Sequence, residues 1–153
     1  LSLKDTIEKT LSILHSAMVN NSTNIIIDLK DDMNIEGYEN ELIQSLINIF
    51  NNSRDELVKK SIDEEKYIFI DVYKNSKNQV YIIIKDNAGG IKKEYLNKIF
   101  EPYFTTKDEG KGTGIGLYMS KIIIENNMNG RIEVENKTDG ATFIIKLSLV
   151  KTK

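Results

Sequence analysis

The chain is organised around one stretch of sequence, Gly110-Lys111-Gly112-Thr113-Gly114-Ile115-Gly116-Leu117. Glycines at alternate positions allow the backbone to take positive φ values and allow another group to approach closely. The apolar residues 118–124 that follow predict a helix, so the glycines lie at a helix N-terminus. Backbone N–H groups without partners and the positive end of the helix dipole favour an anion such as phosphate there. The stretch alone is equally typical of a flexible surface loop.

The spacing of these glycines excludes the common nucleotide-binding loops. A Walker loop needs G-x-x-x-x-G-K-[ST], but Gly110-Lys111 is followed by a glycine, and the residue five positions earlier is Thr105. A dinucleotide fingerprint needs G-x-G-x-x-G directly after a strand, whereas these glycines are evenly spaced behind a polar segment. The H-R-D and D-F-G patterns of protein kinases are absent as well.

The composition is that of an ordinary globular chain of 153 residues, which we expect to form one domain over 1–153. A net charge of −2 predicts no nucleic-acid partner and no direct contact with an anionic membrane. All apolar runs are far shorter than the ~20 residues that span a bilayer. One histidine and no cysteine argue against zinc or thiol chemistry and fit a reducing, cytoplasmic compartment. The first residue is Leu1, so we expect a fragment of a longer protein.

Hydrophobic periodicity predicts a chain of mixed helices and strands. We predict helices at 3–19, 39–58, 92–99 and 114–126, and strands at 24–29, 67–73, 80–85, 131–135 and 142–149. The last two strands are predicted to turn through residues 136–140, with Gly140 as the turn glycine. Two hairpins imply a mixed, largely antiparallel sheet with helices on one face. The fold class is therefore α+β, a two-layer α/β sandwich.

The second predicted helix carries a pair of asparagines. On a helical wheel its core face consists of Leu42, Leu46, Ile49, Phe50, Ser53 and Leu57. Asn48 and Asn52 fall on the opposite face at i and i+4, so their amides project side by side. Asparagine is abundant throughout this chain, and the face opposite a core is normally just solvated. The pair alone is weak evidence for a site.

A carboxylate follows the predicted strand at 80–85 and precedes two glycines, in Asp86-Asn87-Ala88-Gly89-Gly90. A carboxylate in this position can direct its oxygens at a ligand while the glycines let the ligand approach the backbone. The alternative is an Asx turn, in which Asp86 bonds only its own loop. Both interpretations stay open at this point.

Four stretches in order resemble the motifs of one family, the catalytic, ATP-binding domains of bacterial sensor histidine kinases, in the superfamily that also contains gyrase and MutL-type ATPases. Residues 41–53, E-L-I-Q-S-L-I-N-I-F-N-N-S, resemble the N box, and residues 86–91, D-N-A-G-G-I, resemble the first glycine box. Residues 99–107 and 110–117 resemble the F box and the second glycine box. The resemblance covers nearly the whole chain and implies the Bergerat ATP-binding fold.

The resemblance implies a role for each motif, with ATP and Mg²⁺ as ligands. Asn52 would bind the Mg²⁺ that bridges the phosphates, with Asn48 beside it, and both would serve catalysis. Asp86 would accept a hydrogen bond from the adenine amino group, and Gly90 and Ile91 would line the base pocket. The lid and the second glycine box would surround the phosphates through Thr106, Lys107, Lys111, Gly112, Thr113, Gly114, Ile115, Gly116 and Leu117.

Asn48 also separates two reactions within the superfamily that this chain resembles. Hydrolytic members carry a glutamate at that position as the base for water, and an amide cannot deprotonate water. Transfer to an acceptor is therefore favoured over hydrolysis. The chain departs from the family pattern at Ala88, Asp108 and Ala141, which stand where a glycine, a proline and a threonine are common in relatives.

The resemblance also implies partners. The family's acceptor histidine precedes an acidic residue on a separate dimerisation hairpin, whereas His15 precedes Ser16 in the predicted first helix. We therefore expect the acceptor on an upstream dimerisation domain of a homodimeric intact protein, and a response regulator as the next partner. Two alternatives are a serine kinase acting as an anti-sigma factor and a non-catalytic nucleotide-binding module. The presence of Asn48, Asn52 and Asp86 argues against the non-catalytic module.

Overall fold

The computed structural model describes residues 1–20, 23–61, 63–105, 114–137 and 139–149, and within these ranges five strands form one sheet. The strands are β1 (Thr23–Leu29), β2 (Lys66–Lys74), β3 (Gln79–Asp86), β4 (Arg131–Lys137) and β5 (Gly140–Ser148). Their order in the sheet is β1-β2-β3-β5-β4. β1 is parallel to β2, and the other neighbouring pairs are antiparallel. The predicted mixed, largely antiparallel sheet is confirmed.

One face of the sheet is buried beneath helices and the other is open. Side chains alternate between the two faces along a strand, and the branched residues of β2 and β3 alternate accordingly. The buried row consists of Ile68, Ile70, Val72, Val80, Ile82 and Ile84. The residues between them are exposed or half-buried. This pattern is the two-layer sandwich that the hairpins predict.

The helices in this layer are α1 (Leu3–Asn20), α2 (Glu39–Leu57) and α3 (Gly116–Lys121). α2 lies in the middle and packs against both α1 and α3. Every residue predicted for its core face, Ser53 included, is buried. Asn48 and Asn52 remain half-buried on the side of α2 that is turned away from this core. None of the helices in the described ranges combines the length and the apolar character that crossing a membrane requires.

The helix predicted at 92–99 is reduced to a 3₁₀ turn, Lys93–Tyr95. Its hydrogen bonds start with i→i−3 spacing, from the Tyr95 N–H to the Lys92 carbonyl and from the Leu96 N–H to the Lys93 carbonyl. So short a helix has too few backbone bonds to offset its nucleation cost, and a tighter turn replaces it.

Two other boundaries differ from the prediction. α3 begins at Gly116 rather than at Gly114, because Gly114 has a φ of +71° that no helix accommodates, and it continues as a π-helical turn over Ile122–Asn127. The prediction of Gly140 as a turn glycine is wrong, since β5 begins there and Gly140 pairs with Lys137 of β4. A glycine is needed at position 140 because its backbone lies in close contact with Asp86 of β3.

Candidate functional site

A cavity of about 700 Å³ lies between α2, the loop that follows β3 and the start of α3. The residues predicted from the sequence that line it are Asn48, Asn52, Gly90, Ile91, Gly114, Gly116 and Leu117. Tyr95, Ile99 and Phe104 add apolar surface to the wall. Such a mixed lining, with apolar walls and a few polar groups, is typical of a small-molecule site. The predicted residues Thr106, Lys107, Lys111, Gly112 and Thr113 lie outside the described residues.

Asp86 ends β3 and is buried, with 4% of its surface exposed. Its Oδ1 accepts hydrogen bonds from the backbone N–H groups of Ala88 (3.0 Å) and Ala141 (3.3 Å). The first bond is the one that the Asx-turn interpretation predicts, so Asp86 does bond its own loop. Neither of these two bonds, which are those that the described residues make to the Asp86 side chain, uses Oδ2. The two interpretations are therefore compatible.

Burial raises the pKa of the Asp86 carboxyl above its ordinary value, because an ionised carboxylate loses its hydration there. The Ala88 N–H, the Ser53 hydroxyl and the Ala141 N–H lower the pKa, and the nearby negative charge of Glu56 raises it further. Ser53 is almost completely buried, and its hydroxyl has no hydrogen-bond partner of acceptable geometry within the described ranges. The Ser53 hydroxyl lies beside the Asp86 carboxyl, and the two groups together form a buried polar pair that suits a polar ligand.

Asn87 holds the loop that follows Asp86 against the start of β2. Its Oδ1 accepts the Tyr67 N–H at 2.9 Å, and its Nδ2 donates to the Glu65 carbonyl at 3.0 Å. Its own carbonyl accepts a hydrogen bond from Lys60 Nζ at 2.7 Å. The side chain thus replaces the next backbone pair of the β2–β3 ladder, and the backbone is released into the turn at Gly89 and Gly90.

The two asparagines of α2 are used differently. Asn48 Nδ2 donates to the Gly116 carbonyl at 3.0 Å, and its Oδ1 accepts from Gln44 at 3.0 Å. Asn48 therefore fastens the first turn of α3 to α2. Asn52 also lines the cavity, and its amide makes no hydrogen bond within the described part of the chain. Its oxygen is thereby available to a ligand.

The second glycine box needs glycine most at Gly114. A Cβ built there would lie 2.6 Å from the Tyr103 Cα and 2.7 Å from the Phe104 nitrogen, in addition to the strain of the positive φ. The Gly114 carbonyl accepts the Tyr103 N–H at 2.9 Å, which joins the end of the F box to the glycine box. At Gly116 a Cβ would only touch Asn48 at 3.6 Å. Of these two glycines, only Gly114 has the positive φ that the alternate spacing suggested.

Sequence reasoning missed three residues that shape this region: Ser53, Asn136 and Gly140. The helical pattern assigns Ser53 only to the core face of α2. Asn136 and Gly140 were placed in a turn, whereas they lie in β4 and β5 and contact the loop at Gly90 and the end of β3. No local pattern identifies these three residues, because their contacts are with residues at least 33 positions away in the chain.

Comparison with known proteins identifies the family of this chain. Residues 37–151 match the family model described as histidine kinase-, DNA gyrase B- and HSP90-like ATPase. The two-component sensor PprA of Pseudomonas aeruginosa is 37% identical over 118 residues, which is 76% of this chain and 13% of PprA. The signal transduction histidine-protein kinase AtoS of Escherichia coli is 34% identical over 151 residues, which is 97% of this chain and 24% of AtoS.

Among solved structures, the catalytic domain of the histidine kinase ThkA superposes with a TM-score of 0.79 at 25% identity. The match covers 97% of this chain and 94% of that domain. The chain thus matches nearly all of the ThkA catalytic domain. It spans less than a quarter of the full length of PprA or of AtoS. Sequence, fold and cavity agree, and the chain belongs to the histidine kinase-, DNA gyrase B- and HSP90-like ATPase family, with sensor histidine kinases among its relatives.

Proposed function

We propose that this chain, as one domain over 1–153, binds ATP and transfers its γ-phosphoryl group to a histidine on a dimerisation domain of the intact protein. The observation that carries the proposal is the cavity beside α2, which joins Asn52 and the second glycine box to the loop that begins at Asp86. Gly90 and Ile91 line one part of the cavity, and Asn52 and the second glycine box line another, whereas Asp86 and Ile115 are not among the lining residues. Asp86 is buried at the start of the loop that carries Gly90 and Ile91, and we infer that it reads the base from there.

Asp86 supports recognition of adenine. Its Oδ1 already accepts two backbone N–H groups, so Oδ2 is the acceptor offered to the exocyclic amino group of the base. Guanine presents a carbonyl oxygen at the corresponding position, and two acceptors facing each other in a buried site repel. Gly90 and Ile91 continue from Asp86 along the wall of the cavity and would flank the base.

Asn48 supports transfer rather than hydrolysis. Its amide is occupied by Gly116 and Gln44, and an amide has no basic oxygen with which to activate water. In the proposed step a nitrogen of the acceptor histidine forms a bond to the γ-phosphorus. The bond from that phosphorus to the β–γ bridging oxygen breaks, and ADP leaves with the electron pair. The domain contributes chiefly by positioning ATP, as in other phosphoryl transfers.

The donor set also fits Mg²⁺. Asn52 offers the kind of amide oxygen that this hard cation accepts, and magnesium in nucleotide sites usually takes only one or two protein ligands. Asn48 lies one turn earlier, and its Oδ1 would serve as a second ligand only after releasing the hydrogen bond from Gln44. No group of three or more carboxylate, histidine or cysteine side chains suitable for a metal occurs among the described residues. The phosphates of the nucleotide would therefore supply most of the remaining ligands of a bound metal. Bound there, Mg²⁺ would neutralise phosphate charge.

A structural neighbour of this chain has a protein partner. ThkA has been solved in complex with the response regulator protein TrrA, a match with a TM-score of 0.73 and 22% identity. For this chain we infer an upstream dimerisation and phospho-acceptor domain, a cognate response regulator and a cytoplasmic location.

Labelling of the intact protein with γ-labelled ATP tests the proposed reaction. We expect the label to be lost in acid and retained in base, because a phosphoramidate on histidine has that stability. A parent protein with Asp86→Ala, which lacks the adenine acceptor, should incorporate no label. Acid-stable label would instead support the serine kinase alternative, and inorganic phosphate without labelled protein would indicate hydrolysis.

Asn52→Ala is expected to remove mainly the Mg²⁺-dependent part of ATP affinity, because it deletes the amide oxygen available in the cavity. In calorimetric titrations with Mg²⁺ we expect a loss of about tenfold, or ~1.4 kcal/mol. Without Mg²⁺ the variant and the wild type should bind ATP alike. Asn40→Ala, at an exposed asparagine of the same helix outside the cavity, is the matched control. Undiminished magnesium dependence in Asn52→Ala would remove this residue from the metal site.

A further inference from the structure

The loop that forms the wall beside Asp86 is held from the far side by the β4–β5 hairpin. Gly89 and Gly90 have φ values of +94° and +87°, and glycine has more backbone freedom than any other residue. The loop therefore depends on contacts with the rest of the protein to hold one conformation. The Gly89 N–H donates to the Asp139 carbonyl at 2.8 Å. The next attachment along the loop is at Ile91, and a side chain makes it.

Asn136 of β4 makes two hydrogen bonds to the backbone of Ile91. Its Oδ1 accepts the Ile91 N–H at 2.8 Å, and its Nδ2 donates to the Ile91 carbonyl at 2.6 Å. The primary amide thus copies the way in which one peptide group pairs with another across a sheet. A Cβ on Gly90 would lie 2.9 Å from Asn136 Oδ1, so the glycine permits this approach.

Asn136 is also linked to Asp86 through a single strand. In the sheet it pairs with Ala141 of β5, and the Ala141 N–H donates to Asp86 Oδ1. Asn136 therefore holds the loop at Ile91, while its partner in β5 holds the carboxylate from which the loop starts. Both ends of the segment 86–91 are hydrogen-bonded to the β4–β5 hairpin, so the hairpin sets the distance between them.

We propose that Asn136 is a positioning residue for nucleotide binding, which holds the Gly90–Ile91 wall at the correct distance from Asp86. The role needs a donor and an acceptor on one short side chain. Alanine supplies neither, and an ionised aspartate keeps the acceptor but places a negative charge against the Ile91 carbonyl. This inference rests on the proposed binding of ATP.

The test compares Asn136→Ala and Asn136→Asp with Glu135→Ala, an exposed neighbour on the same strand that makes a surface ion pair with Lys137. Calorimetry with ATP should show about tenfold weaker binding for both Asn136 variants. Asn136→Ala loses two hydrogen bonds of ordinary strength, and Asn136→Asp loses one and adds the repulsion between its carboxylate and the Ile91 carbonyl. Glu135→Ala should bind ATP as the wild type does.

Two further measurements separate positioning from a general loss of structure. Amide hydrogen exchange of Ile91 should accelerate in Asn136→Ala, while the exchange of the core strands stays unchanged. In the intact protein the KM for ATP should rise about tenfold while kcat stays near the wild-type value, because the phosphate end of the cavity is untouched. Loss of protection throughout the sheet would overturn the proposal.

Wild-type affinity in Asn136→Ala, or wild-type affinity in Asn136→Asp, would also overturn the positioning role and leave the proposed function intact. Absence of ATP binding by the wild-type chain would overturn both. The two failures are therefore distinguishable.

Discussion

Asp86→Asn is expected to make the nucleotide-free domain more stable while removing most of its affinity for ATP. The asparagine Oδ1 can keep both backbone hydrogen bonds, from Ala88 and Ala141. Its Nδ2 then takes the place of Oδ2 and faces the adenine amino group, donor against donor. Loss of a hydrogen bond to a charged acceptor is worth about 1.5–3 kcal/mol, so we expect ATP affinity to fall by more than tenfold.

The gain in stability should depend on pH. Burial raises the pKa of Asp86 in the folded chain, so the folded state binds more protons than the unfolded state between the ordinary value of 3.8 and the raised pKa. The wild-type carboxyl therefore lowers the free energy of unfolding as the pH rises through this window, and the full penalty is present above it. Asparagine does not titrate, and its advantage over aspartate should grow with pH and then level off.

Chemical denaturation of both proteins over a pH series, paired with ATP titrations, measures these effects. Asp71→Asn is the control, because Asp71 is an exposed aspartate on β2. It should change neither property. If Asp86→Asn bound ATP as tightly as the wild type, Asp86 would not be the adenine acceptor. A stability difference that shrinks with rising pH would contradict the burial argument.

Gly140→Ala is expected to destabilise the fold and disrupt the site together. An added Cβ would overlap the Asp86 carbonyl oxygen and would lie 2.6 Å from the carbonyl carbon and 2.7 Å from Oδ1. These atoms belong to a strand backbone and a fixed carboxylate, so β5 must move away from β3. Overpacking of this kind typically costs about 1–3 kcal/mol, and we expect the upper end of that range.

Denaturant unfolding measures the loss, with Gly116→Ala as the matched glycine control. At Gly116 a Cβ makes an ordinary contact with Asn48 at 3.6 Å, so we expect a change within about 0.5 kcal/mol. ATP affinity should also fall in Gly140→Ala, because Asp86 is displaced. Equal unfolding midpoints for Gly140→Ala and the wild type would show that the β3–β5 contact yields easily.

Local patterns predicted most helices and strands and the helix face that Asn48 and Asn52 share, because these features depend on residues close together in the chain. Helical spacing identified the core face of α2, and each predicted residue on it is buried. The same spacing put Asn48 and Asn52 together on the other face, where both line the cavity. The helix at 92–99 failed because local propensity does not distinguish a short α-helix from the 3₁₀ turn found there.

Contacts between distant residues could not be predicted in this way. The Gly140 prediction was wrong because the need for glycine comes from the Asp86 backbone of a different strand. The bonds from Asn136 to Ile91 join residues 45 positions apart. The position of Ser53 on the core face was correct, but its proximity to Asp86 follows only from the packing of α2 against β3.

The sequence by itself determined the class of fold, the order of the motifs and the types of chemical group at the site, because periodicity and residue identity are local properties. The structure decided how the glycines act: Gly114 is required by its φ and by the backbone at Tyr103, whereas Gly116 is not. It also decided that one hairpin holds both Asp86 and Ile91. These features depend on which strands become neighbours, and strand pairing is a property of the whole sheet.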